Sequence, residues 1–353
     1  MLSAYMQLAV QQALRGGPAT YQNPQVGAVL VKGGRVISQG YHHRFGGNHA
    51  EVDCLTKVSP QQAVGATLYV TLEPCCHVGK TPACSQRIIQ AGIKHVVIGQ
   101  LDPHKIVAGK GRDDLLAYGV EVTQESGAAI ENLNRHYNWF YRHQRPWITL
   151  KTAQTLDGKI NDQVGKRSRL SQEAAQRDSQ QLRSHHHAIL VGERTLTTDD
   201  PQLTVRLRAL AHPPVRLVTV NRSAVAVGKQ IVTDPSAETW LLARQADAAD
   251  SSFAANVHVV VGDWTPAAIA DLCAQHGWQS LLVEGGSHLQ AQFVASGLVE
   301  AWVSYISPQL WGGTALPAVA DSKLAPTSLQ FEPVTVTQLG ADLRLVAYRT
   351  GVA

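Results

Sequence analysis

The 353-residue sequence has few charged residues, and this excludes several classes of protein. Asp, Glu, Lys and Arg make up 16% of the residues, against about 25% in typical globular chains, whereas 44% are hydrophobic. So much apolar material excludes disorder as the dominant state. The 31 basic residues exceed the 27 acidic ones only slightly, for a net charge of +4. Because Lys and Arg also form no run, we expect no nucleic-acid partner.

Long apolar segments are also absent, and cysteine is scarce. No stretch approaches the ~18 uninterrupted apolar residues of a membrane span. The first residues, MLSAYMQLAVQQALRGG, lack the basic region and continuous apolar run of a signal peptide. Of the five cysteines, Cys75, Cys76 and Cys84 lie within ten residues, which favours a metal or reactive site in a reducing compartment over a disulfide framework. We therefore expect a soluble, cytoplasmic protein without a membrane partner.

The length and the order of predicted elements indicate two α/β domains. At roughly 150 residues per domain, the chain has room for about two. Pro146 disfavours a helix that continues through Arg145, and a β-type run begins at Trp147. We therefore predict domains at 1–144 and 145–353. In the first, the pattern predicts a β-hairpin at 26–42, helices at 3–15, 49–58, 83–91 and 127–142, and strands at 67–72 and 95–99.

The second predicted domain alternates strands and helices in the same way. Its last two strands are expected to be antiparallel and to fall within 331–349. The other strands are predicted at 187–192, 215–220, 238–242, 257–261, 280–284 and 300–306, and the helices at 171–184, 265–276 and 287–296.

Three short motifs in the first domain predict a catalytic zinc site. His49 and Glu51 are placed at the start of a helix, Cys75 follows a strand and a proline, and Cys84 opens the next helix. One imidazole and two thiolates leave a fourth tetrahedral position for water, whose pKa zinc lowers to about 7, so that it can attack as hydroxide. Glu51 can carry protons from that water to a ring nitrogen and to departing ammonia. This pattern is typical of zinc nucleobase deaminases.

The spacing and the neighbouring residues leave alternatives open. Eight residues separate Cys75 from Cys84, where the nucleobase deaminase signature has two. Cys76 and His77 are rival ligands, ranked second because a turn that aims Cys75 at a metal turns its neighbour away. Cys54 and Cys273 are expected to be core thiols. The trio at 185–187 is either a metal tract or, as we expect, a set of solvated or strand-edge histidines.

Longer motifs resemble one known family, the bifunctional deaminase–reductases of riboflavin biosynthesis. The resemblance covers nearly the whole chain. In the N-terminal half it is carried by NPQVGAVLV (23–31), YHHRFGGNHAEVDCL (41–55), EPCCHVGKTPAC (73–84) and LDPHKIVAGKG (101–111). In the C-terminal half it is carried by RPWITLKTAQTLDGKI (145–160), AILVGERTLTTDDPQLTVR (188–206), VEGGSHL (283–289) and YISPQLWGG (305–313).

The resemblance implies a fold and two successive reactions. The N-terminal domain would have the three-layer α/β/α fold of cytidine deaminases and would deaminate 2,5-diamino-6-ribosylamino-4(3H)-pyrimidinone 5′-phosphate. The C-terminal domain would have an α/β fold like that of dihydrofolate reductase. It would use NADPH to reduce the ribosyl group, giving 5-amino-6-(5-phosphoribitylamino)uracil. The choice of NADPH over NADH rests on the family. The family also implies a homo-oligomer, either a dimer or a tetramer.

The resemblance further implies a role for individual residues. One zinc ion per deaminase domain would be bound by His49, Cys75 and Cys84, with Glu51 as the proton carrier. The pyrimidine substrate would contact Asn23, His42, His77, Lys80 and Thr81, and the lysine would suit its phosphate. NADPH would contact Ala153, Leu170, Thr195, Gly285 and Gly286. The reductase substrate would contact Ser168, Arg183, Asp199, Leu203, Arg206 and Glu284.

Several of these residues have a plainer interpretation, and two other functions compete with the family's. Gly285-Gly286 can be a simple tight turn, and Asp199 can cap the turn before Pro201. The family commonly has Trp where this chain has Leu170, which keeps open a C-terminal domain that binds nucleotide or mediates assembly without reducing. A nucleic-acid deaminase is the other alternative, but the long insert and the small net charge count against it.

Overall fold

The computed structural model describes residues 2–76, 83–163, 165–166, 168–247, 252–320 and 328–351, without the side chains of 333–334. The chain divides into a first unit, Met1–Gln144, and a second unit, Arg145–Ala353. Within the described ranges, no helix is both long and apolar enough to cross a membrane.

The first unit is built on a five-stranded sheet with the order β2-β1-β3-β4-β5. Strand β1 is antiparallel to β2 and β3, whereas β3, β4 and β5 are parallel. Gly33 and Gly34 form the two-residue turn of the β1–β2 hairpin, with φ values of +57° and +74° that suit glycine. The strands are β1 (Gly27–Lys32), β2 (Arg35–Tyr41), β3 (Thr67–Val70), β4 (His95–Ile98) and β5 (Glu121–Gln124).

Helices cover both faces of this sheet, which confirms the three-layer α/β/α fold. On one face Leu30, Leu68 and Val96 pack among buried residues of α2, α4 and α5, and on the other Val29 and Val97 pack with α1 and α6. The helices are α1 (Ala4–Leu14), α2 (Ala50–Leu55), α3 (Pro60–Ala63), α4 (Cys84–Gln90), α5 (Lys110–Ala117), α6 (Ala128–Leu133) and α7 (Arg135–His143), with a 3-10 turn at Gly17–Thr20.

The structure differs from the sequence predictions at several places in this unit. The helix expected over 127–142 is divided into α6 and α7 at Asn134, whose φ of −124° is not helical. Its side-chain amide accepts a hydrogen bond from the Gln25 N–H at 2.7 Å and donates one to the Gln25 carbonyl at 2.8 Å. In addition, the sequence pattern predicts neither the helices α3 and α5 nor the strand β5.

The second unit contains a nine-stranded sheet with the order β11-β10-β9-β8-β12-β6-β13-β16-β15. Neighbouring strands are parallel from β11 to β13, and β16 and β15 continue the sheet in antiparallel pairs. These strands are β6 (Trp147–Thr155), β8 (Ala188–Gly192), β9 (Val215–Val220), β10 (Thr239–Ala243), β11 (Val257–Val261), β12 (Ser280–Val283), β13 (Ala301–Ser307), β15 (Phe331–Leu339) and β16 (Asp342–Arg349).

Two buried clusters alternate along the central strands of this sheet, as expected for a parallel sheet covered on both faces. Leu190 and Leu217 pack with residues of α11 and α12, whereas Ile189 and Val218 pack with residues of α9 and α10. The helices are α8 (Glu173–Ser184), α9 (Glu193–Asp199), α10 (Gln230–Thr233), α11 (Pro266–Gln275) and α12 (Ser287–Ser296), with a 3-10 turn at Ser223–Ala226. A separate two-stranded sheet pairs β7 (Lys159–Asn161) with β14 (Leu316–Pro317).

The histidines at 185–187 were expected to be solvated or at a strand edge, and only His185 is exposed. The His186 Nδ1–H donates to the Leu182 carbonyl at 2.9 Å, and its Nε2 lies 3.0 Å from the Thr149 hydroxyl. The ring Nδ1 of the buried His187 lies 3.2 Å from the Ser280 hydroxyl. None of the three belongs to a metal-ligating cluster in the described part of the chain, so protein hydrogen bonds account for the two buried rings.

Candidate functional site

Three metal-ligating side chains meet beside the sheet of the first unit. His49 caps the N-terminus of α2, Cys84 is the first residue of α4, and Cys75 lies in the loop after β3. The His49 Nδ1 is 3.5 Å from the Cys75 Sγ and 3.3 Å from the Cys84 Sγ. Their ligand atoms all lie within 4.8 Å of one another. These are the three residues that the sequence predicts as zinc ligands.

The donor chemistry of this group fits zinc. One imidazole and two cysteine sulfurs are typical protein ligands of a catalytic zinc, which keeps one position for water. Hydrogen bonds from Cys84 and His49 hold the pKa of Cys75 well below its usual range. The thiolate, which is the form that binds metals, is therefore favoured at this position.

Glu51 lies next to this group without belonging to it. It is in the first turn of α2 and only 3% exposed, and its carboxyl interacts with the Cys84 thiol. Burial raises the pKa of Glu51 to about 7. A carboxyl with such a pKa can both accept and release a proton near neutral pH.

Asn23 and His42 lie beside His49. The His42 Nδ1–H donates to the Asn48 carbonyl at 2.9 Å, which leaves Nε2 to accept from the Asn23 amide at 3.1 Å. The His42 ring is edge-on to that of His49, with a centroid separation of 5.6 Å. Burial lowers the pKa of His42, which favours the neutral ring. The structure therefore brings these two predicted substrate residues to the metal-ligand group.

Further predictions concern the other cysteines and the residues in the loop between Cys75 and Cys84. Cys76 is partly buried and does not join the metal-ligand group. Cys54 and Cys273 are fully buried, as expected for core thiols. His77, Lys80 and Thr81 lie outside the described residues.

The second unit holds a cavity of about 980 Å³. Its walls include the carboxyl ends of β6, β8, β9 and β12, which is where open parallel sheets bind ligands. Six residues predicted to contact cofactor or substrate line this cavity: Ala153, Thr195, Asp199, Glu284, Gly285 and Gly286.

The two glycines shape one wall of the cavity. Gly286 caps the N-terminus of α12, so this end of the helix borders the cavity. A Cβ at Gly285 would lie 2.5 Å from the Cδ2 of Leu289, so a side chain there would force Leu289 to move. The N-terminus of a helix favours anions such as phosphate.

Arg183 and Glu284 form a buried ion pair beside the cavity. The Arg183 Nε and Nη2 donate to the two carboxylate oxygens at 2.7 and 2.8 Å. Burial alone would raise the pKa of Glu284, but the charges of Arg183 and Lys151 outweigh this effect and lower it to about 2. Arg183 therefore directs its fork at a protein carboxylate, and its contact with a substrate phosphate stays a prediction.

Lys151 is a cavity residue that the sequence analysis missed. Its ammonium lies 3.7 Å from the Glu284 carboxylate, and its side chain is 16% exposed. The signal was a single lysine inside the otherwise uncharged strand WITLKTAQT. A charge at such a position is seldom buried without a partner or a function.

Besides Arg183, four predicted reductase residues do not line the cavity. The Ser168 hydroxyl donates to Asp162, and Leu170 and Leu203 are buried. Arg206 donates its backbone N–H to the Gln180 side chain at 2.9 Å. Their predicted contacts with cofactor and substrate therefore remain predictions.

Comparison with known proteins gives two family matches and several full-length relatives. Residues 1–100 match the cytidine and deoxycytidylate deaminase zinc-binding region, and residues 146–345 match the RibD C-terminal domain. The riboflavin biosynthesis protein RibD of Bacillus amyloliquefaciens is 38% identical, over 97% of this chain and 95% of the relative. The protein of the same name from Escherichia coli (strain K12) is 34% identical, over 97% of each chain.

Solved structures agree with these matches over both units. Acinetobacter baumannii RibD superposes with a TM-score of 0.88 at 32% identity and covers 98% of each chain. A diaminohydroxyphosphoribosylaminopyrimidine deaminase/5-amino-6-(5-phosphoribosylamino)uracil reductase from Thermotoga maritima gives a TM-score of 0.85 at 30% identity, over 98% of this chain and 97% of that one. The comparisons do not favour a nucleic-acid deaminase or a C-terminal domain without reductase activity. The chain belongs to the RibD family of bifunctional deaminases and reductases in riboflavin biosynthesis.

Proposed function

We propose that the first unit deaminates 2,5-diamino-6-ribosylamino-4(3H)-pyrimidinone 5′-phosphate at a zinc centre and that the second unit reduces the product with NADPH. The observation that carries this proposal is the meeting of His49, Cys75 and Cys84 next to the buried carboxyl of Glu51. We further propose that the deaminase domain spans 1–144 and the reductase domain 145–353, and that each deaminase domain binds one zinc ion. The protein would be a homo-oligomer located in the cytoplasm.

His49, Cys75 and Cys84 would hold the zinc, which when bound supplies an acidified water. Glu51 carries two protons in turn on its carboxylate. The first passes from the attacking water to a ring nitrogen of the pyrimidine, and the second passes from the hydroxyl group that this attack adds to the ring to the amino group, which leaves as ammonia. The raised pKa of Glu51 suits both directions of transfer near neutral pH. Asn23 and His42, which are hydrogen-bonded to each other, orient the ring. The family pattern adds His77, Lys80 and Thr81, with Lys80 on the substrate phosphate.

The cavity of the second unit would hold NADPH and the sugar of the deaminated intermediate. Its volume of about 980 Å³ is at the upper end of the ~300–1,000 Å³ range of ligand pockets. The N-terminus of α12 at Gly286 offers backbone N–H groups to a phosphate of the cofactor, with Ala153, Leu170, Thr195 and Gly285 as further contacts. NADPH supplies the hydride. The substrate of the reductase would contact Ser168, Arg183, Asp199, Leu203, Arg206 and Glu284.

Two starting compounds separate the two activities in one experiment. With the diaminopyrimidine, the zinc-loaded protein should release ammonia and then oxidise NADPH, whereas with the deaminated intermediate it should oxidise NADPH directly. Glu51→Gln should abolish ammonia release, keep its zinc, and still oxidise NADPH with the intermediate. Glu121→Gln, which makes the same change at an exposed position of β5, should keep both activities.

Two results would contradict the proposal. Ammonia release by Glu51→Gln at the rate of the unaltered protein would remove Glu51 from the reaction. Failure of the unaltered protein to oxidise NADPH with the deaminated intermediate, while it releases ammonia from the diaminopyrimidine, would show that the cavity of the second unit is not a reductase site.

A further inference from the structure

Helix α5 packs directly against the loop that carries Cys75. Its second residue, Gly111, lies so near this loop that a Cβ there would be 1.9 Å from the Pro74 carbonyl oxygen. Real Cβ atoms do not approach so closely, so only glycine lets the helix lie here. The peptide just before Cys75 therefore rests on the backbone of α5.

The buried carboxylate of Glu73 stabilises the contact between α5 and the loop that carries Cys75. Glu73, two residues before Cys75, is 3% exposed and accepts three backbone hydrogen bonds. Its Oε2 accepts from the N–H groups of Asp102 at 3.1 Å and Gly109 at 2.9 Å, and its Oε1 accepts from Arg112 at 3.0 Å. Gly109 and Arg112 belong to the N-terminal end of α5, where unpaired N–H groups favour a negative charge.

The same helix also fastens α4, which carries Cys84. Asp114 accepts a hydrogen bond from the buried Ser85 hydroxyl at 2.5 Å and from the Gln86 amide at 3.1 Å. The Ser85 N–H in turn donates to the Cys75 carbonyl at 3.1 Å. Both cysteine-bearing segments are thus hydrogen-bonded to each other and to α5.

We propose that α5 positions Cys75 and Cys84 for the metal ion, with Glu73 and Asp114 as the positioning residues at its two contacts. This inference rests on the proposed zinc centre and deepens it. The two cysteines lie nine positions apart on separate segments, so local backbone geometry does not fix the distance between their sulfurs. Two hydrogen bonds join the segments directly, from the Cys84 N–H to the Cys75 Sγ at 3.4 Å and from the Ser85 N–H to the Cys75 carbonyl at 3.1 Å, and the shared attachment to α5 holds both segments in place. Groups that orient metal ligands in this way typically contribute 10–100-fold to metal affinity.

Glu73→Gln tests the proposal with almost no change in side-chain shape. Both carboxylate oxygens accept from backbone N–H groups, so either orientation of the new amide aims its NH₂ at a backbone donor. The loop must then shift or leave an N–H group unpaired, which is costly in a buried site. Asp113→Asn is the matched control, because Asp113 is an exposed acid on the same helix that pairs only with Arg112 among the described contacts.

The experiment measures zinc affinity of the full-length chain by competition with a chromophoric chelator, together with the absorption spectrum of the Co²⁺-loaded protein. We expect Glu73→Gln to bind zinc about 10–100-fold more weakly and to alter the cobalt spectrum, and Asp113→Asn to match the unaltered protein. Asp114→Asn should weaken binding in the same direction. The Asp114 carboxylate hydrogen-bonds only to the Ser85 and Gln86 side chains of α4 among the described contacts, so this variant decides the question if Glu73→Gln does not fold.

The outcomes separate this inference from the proposed function. If the unaltered protein binds no zinc, the proposed metal centre itself is wrong. If it binds zinc, and folded Glu73→Gln and Asp114→Asn bind it equally tightly, the positioning role of α5 is refuted. A lower melting temperature of the metal-free variants with unchanged zinc affinity would likewise refute it, because the two acids would then serve only the stability of the fold.

Discussion

Protonation of His186 should destabilise the second unit as the pH falls below neutral. The buried ring donates from Nδ1 to the Leu182 carbonyl and has the Thr149 hydroxyl at Nε2, an arrangement that suits the neutral form. Burial lowers the pKa of His186 from 6.5 to about 4. An unfolded chain therefore takes up this proton near pH 6.5, whereas the folded chain resists it until about pH 4. The stabilisation that the neutral ring provides is present above pH 6.5 and is lost as the pH falls towards 4.

The size of this effect follows from the two pKa values. Between pH 7 and pH 5 the free energy of unfolding should fall by about 2 kcal/mol through this residue alone. For a unit of about 200 residues this corresponds to roughly 4–8 °C in melting temperature. The assay compares melting at pH 7 and pH 5 for the unaltered protein, for His186→Asn and for His185→Asn, whose position is exposed.

The difference in pH dependence between the two variants measures the effect of protonating His186 alone. His186→Asn should lose stability at neutral pH but show a fall between pH 7 and pH 5 that is smaller by about 2 kcal/mol, whereas His185→Asn should follow the unaltered protein. An equal fall in all three proteins would refute the account of His186 as a buried neutral ring.

Three further predictions concern the two sites. Cys84→Ser should lose most of the bound zinc, measured by atomic emission after dialysis, whereas Cys76→Ser should keep it; zinc loss from both would revive Cys76 as a ligand. Arg183→Gln should destabilise the second unit by about 3–5 kcal/mol in urea unfolding, because it leaves the Glu284 carboxylate buried beside Lys151 alone; a change below 1 kcal/mol would contradict this. Gly286→Ala should melt normally, since its Cβ would meet only the Thr195 hydroxyl at 3.8 Å, but should raise the KM for NADPH; an unchanged KM would argue against cofactor phosphate at α12.

The elements with strong apolar periodicity could be predicted from the sequence, and polar elements could not. The hairpin of β1 and β2, the strand that leads to Cys75 and the alternating elements of the second unit follow from runs of Val, Ile and Leu. Helix α5 has the sequence KGRDDLLA, and the residue before it, Gly109, supplies no capping side chain. The N-terminal end of this helix is instead bound by Glu73, which lies far away in the sequence. The local sequence pattern therefore does not predict the helix.

The candidate metal ligands could be predicted from the sequence because they lie in short motifs. Ion pairs between residues far apart in the sequence could not be predicted. His49, Cys75 and Cys84 carry a recognisable spacing relative to helix and strand ends. By contrast, the pairing of Arg183 with Glu284 joins residues 101 positions apart. The sequence predicts that Arg183 contacts a substrate phosphate, but in the structure this arginine binds a carboxylate of the protein. Only the folded sheet, which places β12 beside β8 and β6, brings these charges together.

The most direct test of the account is product analysis by mass spectrometry after incubation of the zinc-loaded protein with the phosphorylated diaminopyrimidine, with and without NADPH. We expect the deaminated ribosyl compound without NADPH and its ribityl form with NADPH, and neither product after zinc is removed. Unchanged substrate under all conditions, or a ribityl product that retains the amino group, would contradict it.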